Sequence, residues 1–400
     1  MRTILNAVTA LFAAIIAIWL IAYFTAASAM ERAVHEPWPM NLGTLAALDQ
    51  RVRPQAMNDA ARQLIVVAAP LDIRFEKSAK SPSDPVRTAI GEYVKAEHVR
   101  AEATIGEVPH DIAEYLIARE AKIDALRDHL LRAPAIQWEI DGAKGLDAPI
   151  PNLLAHMHIA RLLTTRALYL ARENDVRAWD DLHAVWRLAH SLEARPELIS
   201  QLIYLHLSRS VNGIAWKLPQ PAPVWFGEVQ KVDHRRLMLA AAQYDSWMVS
   251  RHTERSMEGL LPLIARPYYR WSTVNVMQHA RLSAQQLAAM TACRFDGTAY
   301  SRNQLESIPR WNIIALIATP NIGAAWQRVF RATAEREATA NAMRVLQGQS
   351  IVVTSACSDG AWKYDGTRLS FSRDLPRSSP SENAMPLSLA IPARATRRST

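Results

Sequence analysis

The chain has 400 residues, half of them hydrophobic and 21% charged, with a formal net charge of +8. A chain of this length and composition can bury a sizeable core, which excludes a disordered or low-complexity protein. The positive excess is mostly Arg and is spread along the chain beside acidic residues. With no Lys/Arg block, zinc-ligand spacing or aromatic RNA-binding motif, no nucleic-acid partner is expected. A diffuse basic surface suits either proximity to anionic lipid headgroups or no specific partner at all.

The first element is the most informative. After Met1 and Arg2, the run from Ile4 to Ala29 carries no charge. At ~1.5 Å per residue, such a helix exceeds the ~30 Å hydrocarbon core of a bilayer. Trp19 and Tyr23 lie toward its outer end, where amphipathic rings favour the membrane interface. The expectation is a transmembrane anchor over residues 1–30, with membrane lipid as its partner. The rival is a cleaved signal peptide, since Ala27-Ser28-Ala29 fits the small-residue cleavage rule. The apolar run exceeds the usual ~7–15-residue core of a signal peptide and has no helix breaker before that site, which favours the anchor. Both readings export the rest of the chain.

A linker is expected from Glu31 to Thr44, where Pro37, Pro39 and Gly43 interrupt a helix. A helical body then runs to about residue 347. Pro54 opens a helix carrying Ala60, Leu64 and Ile65. Asp84-Pro85 is an N-cap with Pro at the first helical position, ahead of Val86, Ile90, Tyr93 and Val94. From Pro109, the steps Ile112, Leu116, Ile123, Leu126 and Leu130 predict a further helix. Ile136, Trp138 and Ile140 alternate as in a strand, and residues 141–151 form a loop. Asn152 to His190 reads as two helices joined at Glu173-Asn174-Asp175. Pro196 opens the next helix, and Pro219 to Pro223 form a linker. Helices resume over Asp233–Ser256, Ser272–Cys293 and Ile322–Leu346. The short apolar run Ile313–Ala318 reads as buried core.

The period changes near residue 350. Ile351 to Thr354 is β-branched. Trp362 and Tyr364 alternate, Asp365-Gly366 signals a hairpin, and Leu369 and Phe371 alternate after it. With Pro386–Ile391, these predict a small antiparallel sheet over residues 348–392, followed by a disordered basic tail at 393–400.

The fold class expected is therefore mainly α: an N-terminal transmembrane helix, an irregular helical bundle and a small C-terminal antiparallel sheet. Residues 167–196 (ALYLARENDVRAWDDLHAVWRLAHSLEARP) resemble one tetratricopeptide hairpin, without its turn Gly and without a second copy at the period. The layout as a whole resembles a loose class of uncharacterised, membrane-anchored bacterial envelope proteins. The resemblance is carried by the anchor, by RENDVRAWDDLHAVWRLAHSLEARPELISQL and by WKYDGTRLSFSR. It implies an inner-membrane, single-pass protein with a periplasmic body, and it implies no activity.

Chemical motifs are sparse. His156 and His158 point to different helix faces, and His183 and His190 stand seven residues apart. Neither pair has metal-ligand spacing, so no metal and no cofactor are expected. Asp180 could orient His183 as a general base, although acidic residues near a helix start also complement the helix dipole. Glu139 and Asp141 could act as a carboxylate pair on a glycan, or simply face solvent from a short strand. Leu260 to Trp271 (LLPLIARPYYRW) mixes apolar, aromatic and Arg residues. Tyr268, Tyr269, Arg270 and Trp271 suit a membrane surface or an envelope protein partner, or a loop that caps the core. Cys293 and Cys357 are the only cysteines, and an exported chain should join them in a disulfide between helical body and sheet. A scaffold or interaction protein at the membrane is the function these features favour, with an envelope hydrolase, glycan- or peptide-directed, as the alternative.

Overall fold

The apolar N-terminal run forms one unbroken helix, α1 (Arg2–His35), in the computed structural model, which describes residues 2–75, 84–255, 260–319, 322–379 and 382–391. α1 is long and apolar enough to cross a membrane. Its large apolar side chains from Ile4 to Phe24 stand largely exposed, whereas Ala26, Ala29, Met30 and Ala33 are buried in the body. The helix therefore continues past the expected start of the linker at Glu31, because its last turns have a core to pack on.

Local signals set most helix starts in the body. After the one-turn α2 (Leu48–Arg51), α3 (Asp59–Ala68) begins at Asn58, whose Oδ1 accepts the Ala61 N–H, and not at Pro54. α4 (Pro85–Val99) starts as the Asp84-Pro85 pair predicts, with Asp84 accepting the Val86 N–H. The helix expected from Pro109 divides at Arg119 into α5 (His110–Ala118) and α6 (Glu120–Arg132). Its predicted apolar face, Ile112 to Leu130, is buried all the same. Ile136, Trp138 and Ile140 form no strand, and one isolated bridge pairs Ile140 with Gln55. Trp138 is buried against Phe75 and His156 and donates its Nε1–H to Ser191 Oγ, so burial and not strand pairing explains the alternation.

The pair α7 (Leu153–Arg172) and α8 (Ala178–His190) lies at the centre of the body, and α9 (Leu198–Ala215) packs across both. The turn places Asn174 at φ 56°, a conformation Asn tolerates. The short α10 (Phe226–Val229) leads to three long helices: α11 (His234–Arg255), α12 (Leu260–Ala289) and α15 (Ile322–Leu346). Between the last two lie α13 (Gly297–Glu306) and α14 (Ile313–Ala318). α12 starts well before the expected Ser272, so Leu260 to Trp271 is helix and not a capping loop. α14 is not the buried element expected: Ala315 is buried, but Ile313 is 60% and Ile317 80% exposed.

The C-terminal sheet has three antiparallel strands in the order β1 (Trp362–Tyr364), β2 (Arg368–Phe371), β3 (Ser388–Ala390). Asp365 Oδ1 accepts the Thr367 and Arg368 N–H groups, and Gly366 takes φ 96°, which together close the predicted hairpin. Ile351 to Thr354 remains outside the sheet: Asn341 exchanges two hydrogen bonds with the Val352 backbone, the Trp362 N–H donates to the Val353 carbonyl, and an isolated bridge links Thr354 to Ala361. Trp362, Leu369 and Leu389 are fully buried. Cys293 and Cys357 are disulfide-bonded, as expected, with a Cα–Cα distance of 5.2 Å. One core runs from Ala29 in α1 to Ile391 after β3. The basic tail lies outside the described residues.

Candidate functional site

The aromatic-basic segment at the start of α12 meets the chain's own N-terminal helix. α1 and α12 run parallel, with the same offset of 245 residues relating Trp19 to Ile264 and Glu36 to Arg281. At the lower end Trp19 donates its Nε1–H to the Ile264 carbonyl, 2.9 Å away. One turn further on, the Arg270 guanidinium lies 4.9 Å from the centre of the Tyr23 ring, which itself stacks on Trp19. At the upper end Arg281 and Glu36 form an ion pair at 2.6 Å. Trp19 and Tyr23 thus sit on the face of α1 turned toward α12.

The four predicted surface residues have different fates. Tyr268 is half-buried and donates its hydroxyl to the Trp311 carbonyl at 3.2 Å. Tyr269 is exposed, Arg270 is taken by Tyr23, and Trp271 packs half-buried against the main core. The segment therefore joins α1 to the body, and Tyr269 alone of the four is left facing outward. Leu263 and Ile264, earlier in α12, and Trp311, in ring contact with Tyr268, are exposed as well.

The chemical motifs resolve into structural pairs. Asp181, not Asp180, is the buried carboxylate of α8, and Arg166 donates to both of its oxygens. His183 stacks face to face on Trp225 at 4.4 Å, and burial lowers its pKa. Glu139 and Asp141 are bridged by Lys144 at 3.4 and 3.3 Å, which occupies the pair where a sugar would need two free carboxyl groups. His156 is buried between Phe75 and Trp138, hydrogen-bonded through Nδ1 to the Asn152 carbonyl, and burial pushes its pKa down to about 4. Among the described residues, no three His, Cys, Asp or Glu side chains are grouped to share a metal ion.

A buried charge centre, invisible in the sequence, lies between α9, α15 and the segment before β3. Arg209 donates to both oxygens of Glu335 at 2.7 and 2.8 Å and to Glu382 at 2.5 Å. Arg331 donates to Glu335 at 3.3 Å and to the Leu375 and Met385 carbonyls. Two guanidinium groups and two carboxylates balance there, and each is bound to its neighbours. A cavity of about 190 Å³ opens on one side of Arg209, lined by Asp233, His234, Glu335 and Arg336 among others. Asp233 caps α11 by accepting the Arg236 N–H, and burial holds the His234 pKa down at about 3. Periodicity could flag α9 and α15 as helices, but Arg209 and Glu335 are 126 residues apart and no local signal links them.

No protein-family model, no curated protein and no solved structure matches this chain.

Proposed function

We propose that this protein is a single-pass membrane protein of a bacterial envelope, with its body in the periplasm, acting as a scaffold or interaction module held at fixed orientation over the inner membrane. One observation carries the reading: α1 is a single helix whose inner part is exposed and apolar and whose outer part belongs to the core. An anchor joined by a flexible linker would let the body tumble. Here Trp19–Ile264, Tyr23–Arg270 and Glu36–Arg281 tie it to the body over several helical turns. The same contacts speak against cleavage after Ala29, which would strip Trp19, Tyr23 and Ala26 from their packing. The disulfide supports an oxidising compartment. The α7–α8 pair, with its tetratricopeptide-like sequence, has most of α8 buried, so partner docking is assigned to other surfaces.

The hydrolase alternative has one observation in its favour, the cavity with Asp233, His234 and Glu335 in its wall. Glu335 is held by two guanidinium groups and His234 is kept neutral, so neither is poised as a general acid or base near neutral pH. The test is fractionation with protease mapping, followed by crosslinking in intact cells. The expected result is a protein that resists carbonate and high-salt extraction, whose body is cut in spheroplasts and protected in intact cells, and which crosslinks to an envelope protein. A soluble periplasmic form beginning at Met30 would overturn the anchor.

A further inference from the structure

The anchor-side end of the body carries an apolar element that α1 does not account for. α14 is a short helix capped by Asn312, whose Oδ1 accepts the Ala315 N–H at 3.0 Å. It commits only Ala315 fully to a small cluster with Val276 of α12 and Ile308. Ile313 and Ile317 face outward, and Trp311, 57% exposed, stands just before the helix. An interior element would bury the long side chains and expose the small one. Here the small Ala315 is fully buried, Ile314 and Leu316 are half-buried, and Ile313 and Ile317 are exposed, as in a helix that lies in an interface.

Its position follows from the helix register. The exposed apolar band of α1 runs from Ile4 to Phe24, roughly 30 Å at the helical rise, which is the thickness of a bilayer's hydrocarbon core. With α12 parallel to α1 at an offset of 245 residues, Tyr268 lies level with Tyr23, at the outer edge of that band. The Tyr268 hydroxyl on the Trp311 carbonyl brings Trp311 to the same level. Leu263 and Ile264 lie level with Ile18 and Trp19, roughly 6–7.5 Å deeper by the same rise. Exposed Arg310 directly precedes Trp311, placing a cation at headgroup height.

We infer that Trp311, α14 and the start of α12 form a second, monotopic membrane contact, seated in the outer leaflet of the bilayer that α1 crosses. The occupant of this face is lipid: acyl chain against Leu263 and Ile264, headgroup against Trp311 and Arg310 and against Ile313 and Ile317 of α14, which packs on Val276, level with Glu31 and so roughly 10 Å outside the hydrocarbon edge. Continuity with α1 selects lipid over a protein, since any partner at the level of Ile264 would itself have to be inside the membrane. The inference rests on the anchor reading, and the two fail separately in the following experiment.

The full chain is reconstituted in phosphatidylglycerol–phosphatidylethanolamine vesicles with single labelled cysteines at Ile317→Cys, Ile313→Cys and Ile264→Cys. Ile16→Cys in α1 and Val224→Cys, 98% exposed, serve as references. The native cysteines are bonded to each other, so the introduced thiol takes the fluorophore. Nitroxide lipids labelled near the headgroup should quench the labels at Ile317, Ile313 and Ile264 at least twofold and leave Val224 unchanged. Labels at Ile317 and Ile313 that behave like Val224, with Ile16 quenched by deep nitroxides, overturn the second contact and leave the anchor standing. Loss of quenching at Ile16 as well overturns the anchor, and this inference with it. Shielding that appears only on adding another protein or at high protein density also counts against lipid. Because Ile313 and Ile317 are exposed, these variants leave the core untouched, and an unchanged melting curve verifies that.

Discussion

Several buried side chains keep a protonation state that the unfolded chain does not share. Burial lowers the pKa of His98 and His156 from 6.5 to about 4, so both are neutral in the fold. Below pH 6.5 the unfolded chain binds protons that the folded one refuses, so stability falls as pH drops from 6.5 through 4. The expected loss at pH 4.5 relative to pH 7.5 is on the order of 2–3 kcal/mol per histidine, measurable by urea titration at the two pH values. Asp245 has the opposite sign. Burial raises its pKa from 3.8 to about 7, so the folded carboxyl holds its proton across a range where the unfolded one has lost it. Its contribution therefore becomes less favourable as pH rises from 3.8 through 7. Asp245→Asn should stabilise the protein at pH 8 and leave it nearly unchanged near pH 4. Glu335 is the other residue with a sharp expectation. Glu335→Gln leaves Arg209 and Arg331 buried without their shared counter-charge, and should cost about 3–5 kcal/mol in the same titration. A loss under 1 kcal/mol would mean that the centre is more hydrated than its burial implies.

Two elements approach backbone to backbone at a pair of glycines. Gly297, at the start of α13, and Gly323, in the first turn of α15, lie backbone to backbone. A Cβ on Gly323 would fall 2.5 Å from the Gly297 carbonyl, and one on Gly297 would fall 2.2 Å from the Gly323 carbonyl. Backbone cannot yield as a side-chain tip can, so Gly323→Ala must part the two helices. A destabilisation of about 1–3 kcal/mol is expected, with the melting temperature as the readout. At the start of α12, Trp271 and Tyr269 should separate cleanly. Trp271→Ala removes packing from the main core and should lower stability by about 2 kcal/mol or more. Tyr269→Ala, at an exposed position, should change it by less than about 0.5 kcal/mol. Equal effects would contradict the division of roles along this helix.

For the whole molecule, the disulfide closes 64 residues that include the end of the helical body and the approach to the sheet. The chain-entropy model assigns such a loop about 4 kcal/mol. Ser replacement of both cysteines should lower stability by up to that amount. Protease cleavage should then begin within the C-terminal segment before the α7–α8 pair is attacked, as limited proteolysis with mass spectrometry would show. A variant as resistant as the native chain would mean that Trp362 on Glu337 and Arg209 on Glu382 secure the sheet without the bridge.

The sequence by itself determined the features that act within a few residues. These are the apolar length of α1, the Asp84-Pro85 start, the faces of α5 to α9 and the Asp365-Gly366 hairpin. It also determined the Cys293–Cys357 pairing, since a chain with two cysteines in an oxidising compartment has one intramolecular choice. Only the tertiary structure decided the rest. Leu260 to Trp271 is helical, with Arg270 on the Tyr23 ring and Trp271 half-buried, because α1 and the core lie alongside it. Ile136 to Ile140 stays out of a sheet because, among the described residues, its backbone pairing is confined to Gln55 and Asn58. Ile313 and Ile317 face outward because α14 packs through its other face on Val276, Ile308 and Val249, and Arg209 meets Glu335 because α9 and α15 cross. Capping, turn geometry and helical period depend on covalent neighbours and are written into local sequence. Which face is covered, and which charge is paired, depends on residues brought together from tens to hundreds of positions away.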